Sequence, residues 1–120
     1  MKSRINSTAF GSITIDGETY QNDVVIRLDG EVKKRKKKLS KAVFGTSHKI
    51  SLDEAKEIFE PGAERLIIGT GQSGMVRLSD EAVDYFEKKK CQVQLYPTPE
   101  AIRIWNKAGE KTIGLFHITC

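Results

Sequence analysis

The run Leu66-Ile67-Ile68 ends in three glycines, Gly69, Gly71 and Gly74, before a helix-start signal at Ser79. An apolar stretch this short, β-branched at two of three positions and bounded by glycine, predicts a strand buried on both faces. Such strands belong to α/β sheets covered by helices. Pockets form there where loops leave the carboxyl ends of strands, and glycines let main-chain N–H groups approach a bound group closely. The loop over residues 69–74 is therefore the first candidate for a ligand site.

The flanking segments supply the cover such a strand needs. Ser51-Leu52-Asp53-Glu54 has the form of a capping box, in which the Ser51 hydroxyl accepts from the Glu54 N–H and the Glu54 carboxylate reaches back to the Ser51 N–H. Leu52, Ala55, Ile58 and Phe59 share one face of the helix that follows, and Pro61-Gly62 stops it. Ser79 caps a second helix, with Asp80 and Glu81 in its first turn, three lysines at its end, and Ala82, Val83 and Phe86 as the buried stripe. Residues 91–96 read as a strand near an edge or a wet cavity, because Gln92 and Gln94 share one face. Thr98 as N-cap and Pro99 at the first helical position open a third helix, whose apolar face is Ala101, Ile102, Trp105 and Ala108 and whose stop is Gly109. Residues 112–119 are apolar on both faces, which predicts a central strand.

Strand, helix, strand, helix, strand from Leu66 onward is the pattern of right-handed βαβ units. It brings residues 69–74 and 97–99 to one carboxyl edge. A parallel last strand adds His117 and Thr119 to them.

Upstream, Ile13 and Ile15 alternate with Ser12, Thr14 and Asp16, and a second apolar run covers Val24, Val25, Ile26 and Leu28. Asp16-Gly17 and Asp29-Gly30 tolerate the positive φ of tight turns, so three short antiparallel strands are expected across residues 10–35. The next stretch carries Lys33, Lys34, Arg35, Lys36, Lys37, Lys38 and Lys41 with no acidic residue. Subtracting these seven from the chain's +4 leaves −3 for the rest, so the basicity is local. It does not imply a chain-wide nucleic-acid surface. Six consecutive cations cannot be buried, so the tract is expected on a solvated edge or mobile loop, where lysines also discourage edge-to-edge pairing. Docking of an acidic protein partner is the second reading. A nucleic-acid contact ranks third, because no aromatic side chains interleave to stack on bases. Residues 44–48, ending in His48, read as a loop.

A chain of 120 residues forms one domain, here 1–120. No apolar run approaches the ~20 residues of a membrane helix, and the first ten residues lack the apolar centre of a secretory signal, so a cytoplasmic protein is expected. Cys91 and Cys120 show no metal-ligand spacing and read as free thiols, with no metal site. Gly69, Gly71 and Gly74 fit the spacing of a dinucleotide fingerprint, but the helix starts too late, at Ser79, and Leu95-Tyr96 stand where a ribose-binding acid belongs. No cofactor is expected. Ser73 between Gly71 and Gly74 resembles half of a nucleophile elbow without an identifiable acid. His117, within an apolar strand, reads as a hydrogen-bonded core histidine, and His48 is the freer base.

Taken in order, FGSITIDG (residues 10–17), GTSH (45–48), LIIGTGQSG (66–74), PTPEA (97–101) and HITC (117–120) resemble the family of small proteins named after the Mth938 domain. The resemblance runs from about Phe10 onward. It implies a three-layer α/β fold with a mixed central sheet between helices, plus an N-terminal antiparallel β-meander. Eukaryotic relatives include a mitochondrial assembly factor for respiratory complex I and a cytoplasmic protein associated with adipogenesis, so the resemblance implies an interaction or assembly role more than catalysis. The combined expectation is a non-catalytic binding or assembly-assisting protein. Its small polar pocket would comprise Gly69, Gly71, Gln72, Ser73 and Gly74, with Thr98, His48 and His117 as neighbours. Its partners would be another protein or a small polar or anionic ligand, with no membrane contact. The competing readings are a small-molecule enzyme using Ser73 or His48 and weak nucleic-acid binding through residues 33–41.

Overall fold

In the computed structural model, which describes residues 2–120, the run at Leu66 forms the strand Arg65–Thr70 (β7), every residue of which is buried after the first. It pairs in parallel with Thr112–His117 (β10) on one side and Gln92–Tyr96 (β9) on the other. The sheet is completed by Val24–Ile26 (β4), antiparallel to β10, and Val32–Lys34 (β5), in the order β5-β4-β10-β7-β9. The last strand is central, β9 is an edge, and the sheet is mixed.

Alternation along the strands divides the interior in two. Leu66, Ile68, Ile113 and Leu115 point to a cluster covered by the helices Leu52–Ile58 (α2) and Asp80–Lys88 (α3). Ile67 and Phe116 point to the other, under the helix Thr98–Lys107 (α4) and the strands Ile5–Ala9 (β1) and Ser12–Ile15 (β2). A Cβ at Gly114 would lie 3.0 Å from the Trp105 ring. The bare backbone there leaves room for the indole, which is fully buried, sits edge-on to Phe116 and donates to the Ser3 carbonyl at 2.8 Å. Ser51 and Ser79 cap α2 and α3 as their sequence patterns predict.

The antiparallel N-terminal piece has a different membership from that expected. It consists of β1, β2 and Glu18–Tyr20 (β3), with Asp16 at φ 49 and Gly17 at φ 83 in the β2–β3 turn. The run at Val24 leaves it for the central sheet and forms a second hairpin there with β5. The reason lies in the pattern: Ile13 and Ile15 are buried while Ser12 and Thr14 are not, which suits a one-sided sheet. Val24, Val25 and Ile26 are all buried, which requires cover on both faces.

Two smaller expectations also change, and one short strand pair is added. Val83 is 38% exposed, and Tyr85 takes its place against the core. Part of the basic tract is helical, Lys38–Phe44 (α1), closed by Gly45 in the left-handed region. Lys49–Ile50 (β6) and Arg77–Leu78 (β8) form a small parallel pair that fastens the His48 loop to the segment following the glycine loop. No helix among the described residues is long and apolar enough to cross a membrane.

Candidate functional site

The glycine loop after β7 is tightly packed. Gly71 has φ 105, and a Cβ there would come within 2.5 Å of the Cys120 carbonyl carbon and 2.7 Å of His117 Cδ2. Three of the loop's main-chain donors are committed: Gly71 N–H to Thr98 Oγ1 at 2.9 Å, Gln72 N–H to the Thr119 carbonyl at 2.7 Å, and Met75 N–H to the Cys120 carbonyl at 3.2 Å. The Thr98 hydroxyl in turn donates to the His117 carbonyl at 2.6 Å. Gly71, Thr98 and His117 are thus joined by hydrogen bonds among themselves, and Gly69 packs beside Thr98. Thr98 is the first helical residue rather than the N-cap, which is Pro97, because its hydroxyl is spent on this latch. Ser73 and Gly74 are exposed, and Gln72 is half-buried.

Below this edge lies a buried polar network that local patterns do not reveal. His117 Nδ1 meets Asp23 Oδ2 at 2.7 Å, the Ile118 N–H donates to Asp23 Oδ1 at 3.0 Å, and His117 Nε2 is 3.2 Å from Thr119 Oγ1. Asp23 also accepts from Arg35 Nη1 at 3.0 Å. Arg35 Nε and Nη2 grip Glu54 at 2.5 and 3.0 Å, and Nη2 reaches the Ser47 carbonyl at 2.7 Å. Ser40 donates to Glu54 and accepts from the Ser51 N–H at 3.0 Å. The capping box is therefore half made: Ser51 caps α2, but the Glu54 carboxylate turns inward to Arg35. Among the described residues, no buried side-chain nitrogen or oxygen is left without a partner.

Burial opposes ionisation of Asp23. The hydrogen bond and charge of His117, the Ile118 amide and Lys37 outweigh it and hold the carboxyl at about 2. For Arg35, burial is outweighed by Glu54 and Asp23, which raise its pKa. The His48 ring stands edge-on to His117 with centroids 5.4 Å apart. Its pKa is lowered by partial burial, by His117 and by Arg35.

This clamp corrects the reading of residues 33–41 as uniformly solvated. Arg35 is 3% exposed. With that side chain drawn inward, its neighbours Lys34, Lys36 and Lys38 stand in solvent. They border a groove of about 760 Å³ lined by residues 34–39, Lys41 and Glu57. Lys36 pairs with Glu57 at 2.9 Å on its rim, and Lys37 Nζ lies 3.6 Å from Asp23 Oδ2.

Comparison with known proteins adds the family. Residues 5–115 match the family described as a protein of unknown function (DUF498/DUF598). The chain belongs to the Mth938-like family. It is similar to the crystal structure of the conserved hypothetical protein PH1505 from Pyrococcus horikoshii OT3, with TM-score 0.91 and 31% identity over 98% of this chain and 99% of that one. The structure named MT938 matches with TM-score 0.84 and 31% identity, over 99% of this chain and 100% of that one. A Bordetella pertussis protein described as an Mth938-like domain shares the fold at 15% identity, with TM-score 0.65 over 97% and 85% of the two chains.

On this Mth938-like scaffold, Thr119, His117 and Asp23 align as hydroxyl, imidazole and carboxylate, the order of a nucleophile, base and orienting acid. The surroundings do not complete such a site. His117 is 1% exposed, and the Gln72 and Met75 amides that approach this chain segment are already hydrogen-bonded to its carbonyls, so they are not free to hold an oxyanion. Among the described residues, no group of three or more His, Cys, Asp or Glu side chains is placed to hold a metal ion.

Proposed function

We propose that this Mth938-like protein acts by non-catalytic binding, as an adaptor or assembly-assisting protein, and that its binding face is the basic groove rather than the glycine loop. The observation that carries this reading is the contrast between the two places. The loop's Gly71, Gln72 and Met75 amides are bonded within the protein, whereas the groove is open and bordered by Lys34, Lys36, Lys37, Lys38 and Lys41. Buried Arg35 holds the backbone from which these lysines project, so less ordering is needed when an anionic partner arrives. Clustered cations also speed encounter with such a partner.

Calorimetric titration with poly-L-glutamate, at low salt and then at rising salt, tests the reading. Binding that weakens with salt and disappears in a Lys34→Gln/Lys36→Gln/Lys38→Gln/Lys41→Gln variant is the expected result. All four residues are exposed, and among the described residues only Lys36 of the four makes an ion pair, so the variant keeps the fold. Absence of binding at low salt, or equal binding by the variant, overturns the reading.

A further inference from the structure

We infer that the occupant of the groove is an extended acidic segment of a partner protein, which adds to the central sheet as a strand beside β5. The inference rests on the binding role just proposed and specifies its partner.

The outer strand supplies the first argument. β5 pairs with β4 in the register Val24↔Lys34, Val25↔Lys33, Ile26↔Val32, and β5 is the last strand of its sheet. The Arg35 N–H donates to the Asp23 carbonyl and the Arg27 N–H to the Glu31 carbonyl, each at 2.9 Å. In an antiparallel ladder, hydrogen-bonded and non-hydrogen-bonded pairs alternate. The bonded pairs are therefore 23/35, 25/33 and 27/31, and Val32 and Lys34 turn their N–H and C=O groups away from β4. Those donors and acceptors are spaced to pair with another extended chain, the mode by which peptides add to sheet edges. Lys34, the last residue of β5, also lines the groove, so the open edge and the lysines of residues 34–41 adjoin.

Charge selects the kind of strand. A second copy of this chain approaching through β5 would set Lys33 and Lys34 against cations of its own, an arrangement that repels. A strand carrying Asp or Glu meets the same row with attraction, so the lysines reject self-pairing and admit an acidic partner. A nucleic acid fits less well. It can use the two N–H groups, but its phosphates face the two outward carbonyls as like partial charges. The groove offers no free guanidinium to stack on a base, because every nitrogen of the Arg35 fork is bonded within the protein.

The test uses the full chain and a short synthetic peptide alternating Glu and Thr. Two counterparts of identical charge are N-methylated, one at every Glu and the other at every Thr. Oligouridylate and inorganic polyphosphate serve as competitors. The peptide is expected to bind, one N-methylated form to bind about tenfold more weakly, and amide exchange at Val32 and Lys34 to slow on binding. Equal binding of all three peptides, abolished in the lysine variant, overturns strand addition and leaves the anion groove standing. Tighter binding of oligouridylate or polyphosphate than of the peptide overturns the partner class. No binding of any probe at low salt overturns both this inference and the binding role beneath it.

Discussion

Arg35 and Glu54 form a two-point ion pair, at 2.5 and 3.0 Å, that fastens the basic tract to the first turn of α2. Both side chains are buried. Such a pair adds little over a well-packed apolar alternative, but removing one member strands the other charge out of water. Glu54→Ala leaves Arg35 with Asp23 as its only carboxylate and removes the carboxylate that accepts from Ser40. The expected loss is about 3 kcal/mol, seen as a lower urea midpoint and a melting temperature reduced by roughly 10 °C. A loss below about 1 kcal/mol, the range of an exposed pair, would contradict the burial of this pair.

Asp23 makes stability depend on acid. Its folded pKa of about 2 lies below the ordinary value of 3.8. In that window the unfolded chain binds more protons, so this contribution is complete above pH ~4 and is lost as pH falls toward ~2. Asp23→Asn is expected to cost roughly 2 kcal/mol at neutral pH. The gap between wild type and variant should close between those two pH values in denaturant titrations. A gap that stays constant with pH would mean that the carboxylate's charge is not what stabilises the fold.

The order of strands and helices from β7 onward is legible because each rests on a local pattern: an apolar run, a capping serine, a stopping glycine. The five-stranded sheet is less so, because Val24 pairs with Phe116 across almost the whole chain. Its signal was present nonetheless, as three consecutive apolar residues where a one-sided strand would alternate. The polar network was hidden for a different reason. Glu54 already satisfied a local rule as the acid of a capping box, so nothing in its neighbourhood called for Arg35, 19 positions away, and His117 is 94 positions from Asp23. The glycine loop shows the opposite case. Its composition announced a close approach, and the structure has one, by residues 117–120 of the same chain.

The two thiols separate by environment. Burial pushes Cys91 up to about 11 and shields it, while Cys120 is exposed. Since the thiolate is the reactive form, a disulfide reagent at pH 8 is expected to modify one thiol quickly and the second only as the protein unfolds. Mass mapping should place the fast adduct on Cys120. Rapid native-state labelling of Cys91 would show that the α3–β9 corner opens far below the global unfolding transition.

Gly71 and Gly109 provide a matched pair of substitutions. At Gly71, φ is 105, and an added Cβ meets main-chain atoms of Cys120 at 2.5 and 2.6 Å. Both backbone strain and overlap oppose alanine there, and neither neighbour is a flexible side-chain end that can swing away. Gly71→Ala is expected to cost about 3 kcal/mol or more, and to loosen the contacts of Gln72 with Thr119 and Met75 with Cys120. At Gly109 there is nothing within 4 Å and no positive φ, so alanine there only narrows the unfolded ensemble and should be neutral or stabilising by up to ~1 kcal/mol. Urea titration of both variants decides between the readings of the loop. If Gly71→Ala is tolerated as well as Gly109→Ala, then residues 117–120 do not pack against the loop in solution and its amides are free for a ligand. A selective loss at Gly71 means that the glycines serve to admit the chain's own β10 extension, and leaves the lysine groove as the open face.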